Sequence, residues 1–159
     1  MTVSRVNQVW SADITSSRLH SGVVYLVAVR AWFSRDVLSW AVSIPMDGAC
    51  GLDALNQALA HGQPEMLNTD QGAPFTAQEF TTRLKIGGVR IRMDGRGRAL
   101  DNVFVERLWR SVKQEEVYLR DYQSVWDARQ GLARYFGFYN HARLHQALGY
   151  RTPAAVYHG

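Results

Sequence analysis

Polar and apolar residues alternate near the start of the chain. Trp10, Ala12 and Ile14 interleave with Ser11, Asp13 and Thr15, the period of two expected of a strand with one buried face. This turns Asp13 away from the apolar side. Residues 23–29, VVYLVAV, are almost continuously apolar and rich in valine, as in a strand covered on both faces. VLSWAVS (37–43) follows the short connection AWFSRD, so the pattern predicts a meander of three antiparallel strands. Asp47 can cap a helix over roughly 49–61, with Leu52, Leu55 and Leu59 on one face and Gly62 and Pro64 ending it. EMLNTD predicts a short buried strand ending at Asp70. Thr76 and Glu79 have the spacing of a capping box for a helix that runs to about Ile86 and closes on Gly87-Gly88. VRIRM (89–93) alternates like an edge strand, giving the order βββαβαβ.

DGRGRALDN (94–102) combines two glycines with turn formers and predicts a loop. A helix follows from about Asn102 to Val117, with Val105, Leu108, Trp109 and Val112 as its buried stripe. At about 100° per residue, Arg110 sits roughly 40° and Lys113 roughly 20° from Glu106, so these three share a polar face. Ser124 and Asp127 form a second capping box, opening a helix striped by Ala128, Leu132, Tyr135, Phe136 and Tyr139. Trp32, Trp40, Trp109 and Trp126 are expected in the core with these aromatics, and the C-terminal HARLHQALGYRTPAAVY is expected to wrap back on the body. The fold class is α/β: a mixed five-stranded sheet, its first three strands antiparallel, flanked by helices.

Composition narrows the class. A chain of 159 residues, 47% hydrophobic, suits one domain that folds without a staple. We expect one unit over 1–159 with a tail from about 141 to 159. The single Cys50 excludes an internal disulfide, which predicts a reducing, cytoplasmic location. No apolar run approaches the 18 or so residues of a membrane span, and MTVSRVNQVW lacks a signal core. The net charge of +4 is concentrated: residues 83–113 hold nine Lys and Arg against three Asp and Glu, a local +6 in a remainder of −2. Such a segment points to a polyanion, with nucleic acid first.

Three acidic residues occupy informative places: Asp13 on the first strand, Asp70 at the end of the fourth, and Glu106 on the helix after the glycine loop. Carboxylates from separate elements can converge where a sheet ends. Convergent carboxylates cannot all stay ionised and unpaired, so they imply a hard cation such as Mg²⁺ or Mn²⁺. Two such ions can activate a water or a 3′ hydroxyl and stabilise the leaving oxygen of a phosphoryl displacement. Taken singly, Asp13 is a solvated strand residue, Asp70 a turn former before Gly72, and Glu106 a surface helix residue. His141 and His145, four apart, lack a third ligand nearby and suit packing or DNA contact.

NQVWSADIT around Asp13, LNTDQG around Asp70 and MDGRGRALDNVFVERLWRSVKQEEVYL around Glu106 resemble the catalytic core of IS3-type insertion-sequence transposases, of the wider DDE transposase and retroviral integrase superfamily. The 35 residues between Asp70 and Glu106 match that family's spacing, and YNHARLHQALGYRTPAAVY resembles its C-terminal end. The resemblance covers nearly the whole chain and implies an RNase H-like fold. It also implies that Asp13, Asp70 and Glu106 bind Mg²⁺ or Mn²⁺, as two ions, for DNA strand cleavage and strand transfer. Lys113 and Arg110 would approach double-stranded DNA, both transposon ends and target. The loop carrying Arg96 and Arg98 would lie along the DNA backbone, and Asn102, in a family Asp-Asn pair, would act there or as a helix cap. The resemblance further implies a homo-oligomer on DNA, associated with the nucleoid, and a length without room for the family's N-terminal helix-turn-helix. The chain departs from the family at Arg30-Ala31, where an Ile-Asp pair is usual, at Ala73-Pro74, where Ser and Gln are usual, and at Ser16, where an aromatic is usual. Two other readings stand beside this one: an RNase H-like nuclease without strand transfer, and an inactive DNA-binding remnant of a transposase.

Overall fold

The structure, a computed structural model, describes residues 3–19, 22–43, 48–69, 78–93, 107–117, 120, 122–143, 145 and 148–158. Strand β1 (Val9–Leu19) runs through the middle of a five-stranded sheet. On one side β2 (Gly22–Ala31) pairs antiparallel with it from Trp10↔Ala31 to Leu19↔Gly22, and β3 (Val37–Ser43) pairs antiparallel with β2. On the other side β4 (Met66–Thr69) pairs with β1 in parallel, and β5 (Arg90–Met93) with β4 in parallel. The spatial order is β3-β2-β1-β4-β5. Parallel neighbours cannot be joined by a tight turn, so the chain crosses over through α1 (Gly48–Leu59) before β4 and α2 (Gln78–Ile86) before β5. The expected meander, mixed sheet and edge position of β5 are all present. Residues 107–112 are helical, the described part of α3, which continues into a π-helical turn over Lys113–Val117. Then come α4 (Val125–His141) and α5 (Pro153–His158).

Because β1 and β2 are central, their alternating side chains feed two buried layers. In the first, Trp10 and Ala12 of β1, Val27 and Val29 of β2, and Leu67 of β4 meet Leu55 and Ala58 of α1 and Phe80 and Leu84 of α2. In the second, Leu26 and Ala28 of β2 and Val42 of β3 meet Leu108, Trp109 and Val112 of α3 and Leu132, Phe136 and Tyr139 of α4. The tail returns as expected. Tyr157 of α5 joins the first layer and donates its hydroxyl to the His61 carbonyl at 3.2 Å.

Helix α4 begins as its sequence predicts. The Ser124 Oγ accepts the Asp127 N–H at 3.1 Å, and the Asp127 carboxylate accepts the Gln123 N–H at 3.2 Å, one residue upstream of the usual box partner. Trp126 corrects an expectation: it is 66% exposed. Two residues before Ala128, it lies roughly opposite the buried stripe at 100° per residue, so helical phase outweighs aromatic character. The π turn is a second correction, since a uniform helical period was expected through Val117. Two consecutive carboxylates of this turn meet separate partners. Glu115 accepts from the Tyr135 hydroxyl at 2.9 Å and from Arg143 Nε and Nη2 at 3.0 and 2.8 Å. Glu116, 5% exposed, accepts the Tyr122 hydroxyl and lies 3.7 Å from Arg120 Nε.

Gly131 of α4 makes that second contact possible. A Cβ there would stand 2.7 Å from Glu116 Oε2 and 2.7 and 2.8 Å from the Tyr122 ring and hydroxyl. Gly131→Ala is therefore expected to destabilise the fold by about 1–3 kcal/mol, against the usual helix gain of alanine over glycine. Urea unfolding of the two proteins measures this; an alanine variant as stable as the parent would contradict the packing described.

Candidate active site on the α3 face of the sheet

Asp13 stands opposite Ala28 in the antiparallel register, so the two side chains share a face. Ala28 belongs to the layer covered by α3 and α4. Asp13 does point away from the Trp10 and Ala12 layer, as the alternation predicts, but the face it enters is covered and not solvated: it is 7% exposed and Ser11, two residues back, 1%. The Ser11 hydroxyl donates to Asp13 Oδ2 at 3.0 Å. A carboxylate this buried needs compensation, from donors or from a cation.

The register shows what lies beside it. The β1–β4 ladder runs Val9↔Met66, Trp10↔Leu67, Ser11↔Asn68 and Ala12↔Thr69. Asp13 is the next residue on one strand and Asp70 follows Thr69 in the sequence. Leu108, Trp109 and Val112 bring α3 onto the same layer as Ala28, and Glu106 precedes its first described residue, Arg107. Asp70, Glu106, Arg96, Arg98 and Asn102 lie outside the described residues, as do Asp47, Ala73, Pro74 and Thr76. Of the expected DNA-contacting residues, Arg110 is exposed on α3, and Lys113, half-buried, opens the π turn. Among the described residues no three His, Cys, Asp or Glu are grouped to hold a metal ion. Within that described set Asp13 is the single expected ligand. A buried carboxylate oriented by one hydroxyl fits a hard cation's preference for oxygen donors.

Arg30 enters the same face. It pairs with Ser11 across the β1–β2 ladder, next to an irregularity in the β2–β3 pairing at Val29/Arg30. Only 3% exposed, it has an Nε with no hydrogen-bond partner. Positive charge gathers around it. The Arg35 guanidinium is pushed down by its burial, then by Arg30 and, more weakly, Arg107. His145, 8% exposed and packed edge-on against Tyr139 with centroids 4.9 Å apart, is pushed down to about 4 by burial, then by Arg143, Arg35 and Arg30. The packing role expected of His145 is the one observed. The spacing of Ser11 and Asp13, two apart on one strand face, carries the signal for their hydrogen bond; the Glu115 clamp on α4 has no comparable local signal.

This geometry defines a class of protein: a mixed five-stranded sheet flanked by helices, with a buried carboxylate on its central strand beside the end of a parallel neighbour, the architecture of an RNase H-like catalytic core. Solved integrase cores have the same fold. The HTLV-2 integrase catalytic core domain, solved in complex with magnesium in a trimeric form, superposes with a TM-score of 0.78 at 19% identity, covering 97% of this chain and 98% of that one. The catalytic core domain of BIV integrase gives 0.65 at 19% identity, over 95% and 93%. Two integrase core domain family models match, over residues 3–99 and 87–153, and the chain belongs to the integrase core domain family. Its relatives include the transposase of insertion sequence IS3A of Escherichia coli K12, 31% identical over 151 residues, and that of IS904 of Lactococcus lactis, 29% identical over 151 residues. Those alignments cover 92% of this chain and 52% and 60% of the relatives, so the chain spans little more than half their length. No helix among the described residues is long and apolar enough to cross a membrane.

The Glu115 clamp gives a pH test of how α3 is held. Burial pushes the Glu115 carboxyl up, but hydrogen bonds from Arg143 and Tyr135 outweigh it and hold the group below its ordinary value of 4.5. A carboxyl depressed by folding adds stability above its unfolded pKa, and this is lost as the pH falls through the folded value. Glu115→Gln should therefore be less stable than the parent at neutral pH, with the gap closing below about pH 4. Urea midpoints against pH measure it, and a gap independent of pH would contradict the clamp.

Proposed function

We propose that this chain is the catalytic core of an IS3-type DNA transposase and carries out metal-dependent strand cleavage and strand transfer. The observation that supports this most is the position of Asp13, a buried carboxylate one residue past the Ala12↔Thr69 pair. Asp70 follows Thr69, the partner of Ala12, in the sequence, and in this reading it joins Asp13 at the end of that ladder. Glu106 precedes Arg107, the first described residue of the helix whose Leu108 joins the layer of Ala28. Asp13, Asp70 and Glu106 are the ligands in this reading, with Mg²⁺ or Mn²⁺ as the cation, in two copies. Bound there, the ions supply activation of the attacking oxygen and stabilisation of the leaving oxygen in an in-line displacement.

The chain's own residues do the rest. Ser11 fixes the orientation of Asp13 by holding Oδ2. Arg110 and Lys113 offer cations to phosphates passing along α3, with Arg96, Arg98 and Asn102 extending the contact, a sequence-independent attraction weakened by salt. In the first displacement a water attacks a phosphodiester, leaving a 5′ phosphate and a free 3′ hydroxyl. In the second that hydroxyl attacks another phosphodiester and expels the 3′ oxygen of that strand as a new 3′ hydroxyl, with no covalent protein intermediate. The substrates are double-stranded transposon ends and target DNA, met by a homo-oligomer in the cytoplasm, at the nucleoid.

Replacing Asp13 or Asp70 by Asn, or Glu106 by Gln, should abolish Mg²⁺-dependent nicking and joining while the circular dichroism spectrum stays that of the parent. Calorimetric Mn²⁺ binding should weaken in each variant. Retained activity in all three would overturn the assignment. Joined product separates a transposase from an RNase H-like nuclease, which only hydrolyses. Arg30, a buried cation on the Asp13 face, is the observation behind a second reading, a silent DNA-binding module; such a module binds DNA equally well with and without Mg²⁺. For the basic face, Arg110→Ala and Lys113→Ala should each flatten the slope of log affinity against log salt by about 0.9 for every phosphate the parent side chain neutralises. An unchanged slope would remove that residue from the DNA path.

A further inference from the structure

The open edge of β3 carries a cavity of about 300 Å³. It lies between the end of α1 and the C-terminal half of α4, and its lining includes Asp36, Trp40, Gln57, Phe136 and Asn140. Among the described lining residues Asp36 is the only Asp, Glu, Lys or Arg. Its backbone is fixed, the N–H on Ser34 Oγ at 3.2 Å and the carbonyl accepting the Ala31 N–H at 3.0 Å. Its side chain is not: Asp36 is 6% exposed and its Oδ1 has no hydrogen-bond partner. Burial pushes the carboxyl up to about 6, with His158 and His141 acting in the opposite direction. Asn140 does not answer it: its amide accepts the Val37 N–H and donates to the Val37 carbonyl, both at 2.8 Å.

The Asp36 carboxylate has one oxygen with no donor, and the described lining offers it histidines but no Lys or Arg, so it suits a cationic guest. That guest must also suit the walls. Trp40 and Phe136 lie with centroids 5.5 Å apart and planes inclined by 34°, an aromatic surface that favours a flat, weakly hydrated cation. A metal ion suits it poorly, since the nearby His61, His141 and His158 form no three-ligand group with Asp36. We infer that the cavity is a guanidinium site, in which the Asp36 carboxylate accepts hydrogen bonds from a guanidinium group lying against Trp40 and Phe136. The group can be a free arginine-like cation or the arginine side chain of a second copy of this chain.

The test titrates methylguanidinium into the isotope-labelled chain at neutral pH and follows amide and indole resonances, with urea as the neutral isostere. Saturable shifts confined to Asp36, Trp40, Gly137 and Asn140 are expected with methylguanidinium and absent with urea. Asp36→Asn should weaken the affinity about 10-fold or more. Asp36→Asn is also expected to fold. A carboxyl raised by folding to about 6 favours the native state only while protonated and loses that contribution as the pH rises through 6, so the amide should match or exceed the parent at neutral pH. Below about pH 5 the parent's own binding should fade, as Asp36 gains a proton. Equal response to urea, or equal affinity in the parent and Asp36→Asn, would overturn the site; the shift pattern of the parent decides alone if the variant fails to fold. Sedimentation then separates the sources. Dissociation of an oligomer by methylguanidinium but not urea identifies a second copy's arginine, and an unchanged mass with saturable binding identifies a free cation.

Discussion

The pairing of β1 with two neighbours of opposite direction is the constraint on which the rest depends. β2 holds β1 along its whole length, whereas β4 holds only Val9 to Ala12 in parallel and then stops at Thr69. Asp13 is thus backed by a full strand on one side and borders the end of a ladder on the other. Both faces of β1 are covered, because the sheet carries α1 and α2 on one layer and α3 and α4 on the other. A carboxylate placed there is buried by the architecture, and burial makes it a strong partner for whatever cation enters.

The second layer covers the face that carries Asp13, and the π turn after α3 joins α3 to α4. In that turn one carboxylate clamps Tyr135 and Arg143, and the other receives Tyr122 beside Gly131. Inserted turns of this kind are frequent near functional sites. Here the insertion follows directly on residues 107–112, the described part of α3, and pins it to α4.

Much of this was legible in the residues, for identifiable reasons. The alternation around Asp13, the valine-rich β2 and the Ser124 and Asp127 box are local signals, and each element formed where its signal lies. What covers the Asp13 face is not local: Leu108, Trp109 and Leu132 arrive from about a hundred residues away, so alternation alone made that face look solvated. Trp126 is exposed because helical phase outweighs aromatic character. Arg30 stood out as a charge inside an apolar strand, but only the register revealed that it shares a face with Ser11 and Asp13. The Asp36 cavity had no signal, since its walls come from β3, α1 and α4 and meet only in the folded chain. Family membership is carried by long-range agreement among blocks of sequence, and about half the length of the transposase relatives lies beyond what this chain spans.

The central claim is that carboxylates from β1, the end of β4 and the start of α3 meet at one cation site. Paramagnetic broadening by Mn²⁺ of the isotope-labelled chain tests it most directly. The account predicts that substoichiometric Mn²⁺ first erases the amide signals of Ala12, Asp13, Thr69, Asp70 and Arg107, and that excess Mg²⁺ restores them. Broadening centred elsewhere, or spread evenly over exposed carboxylates, would contradict it.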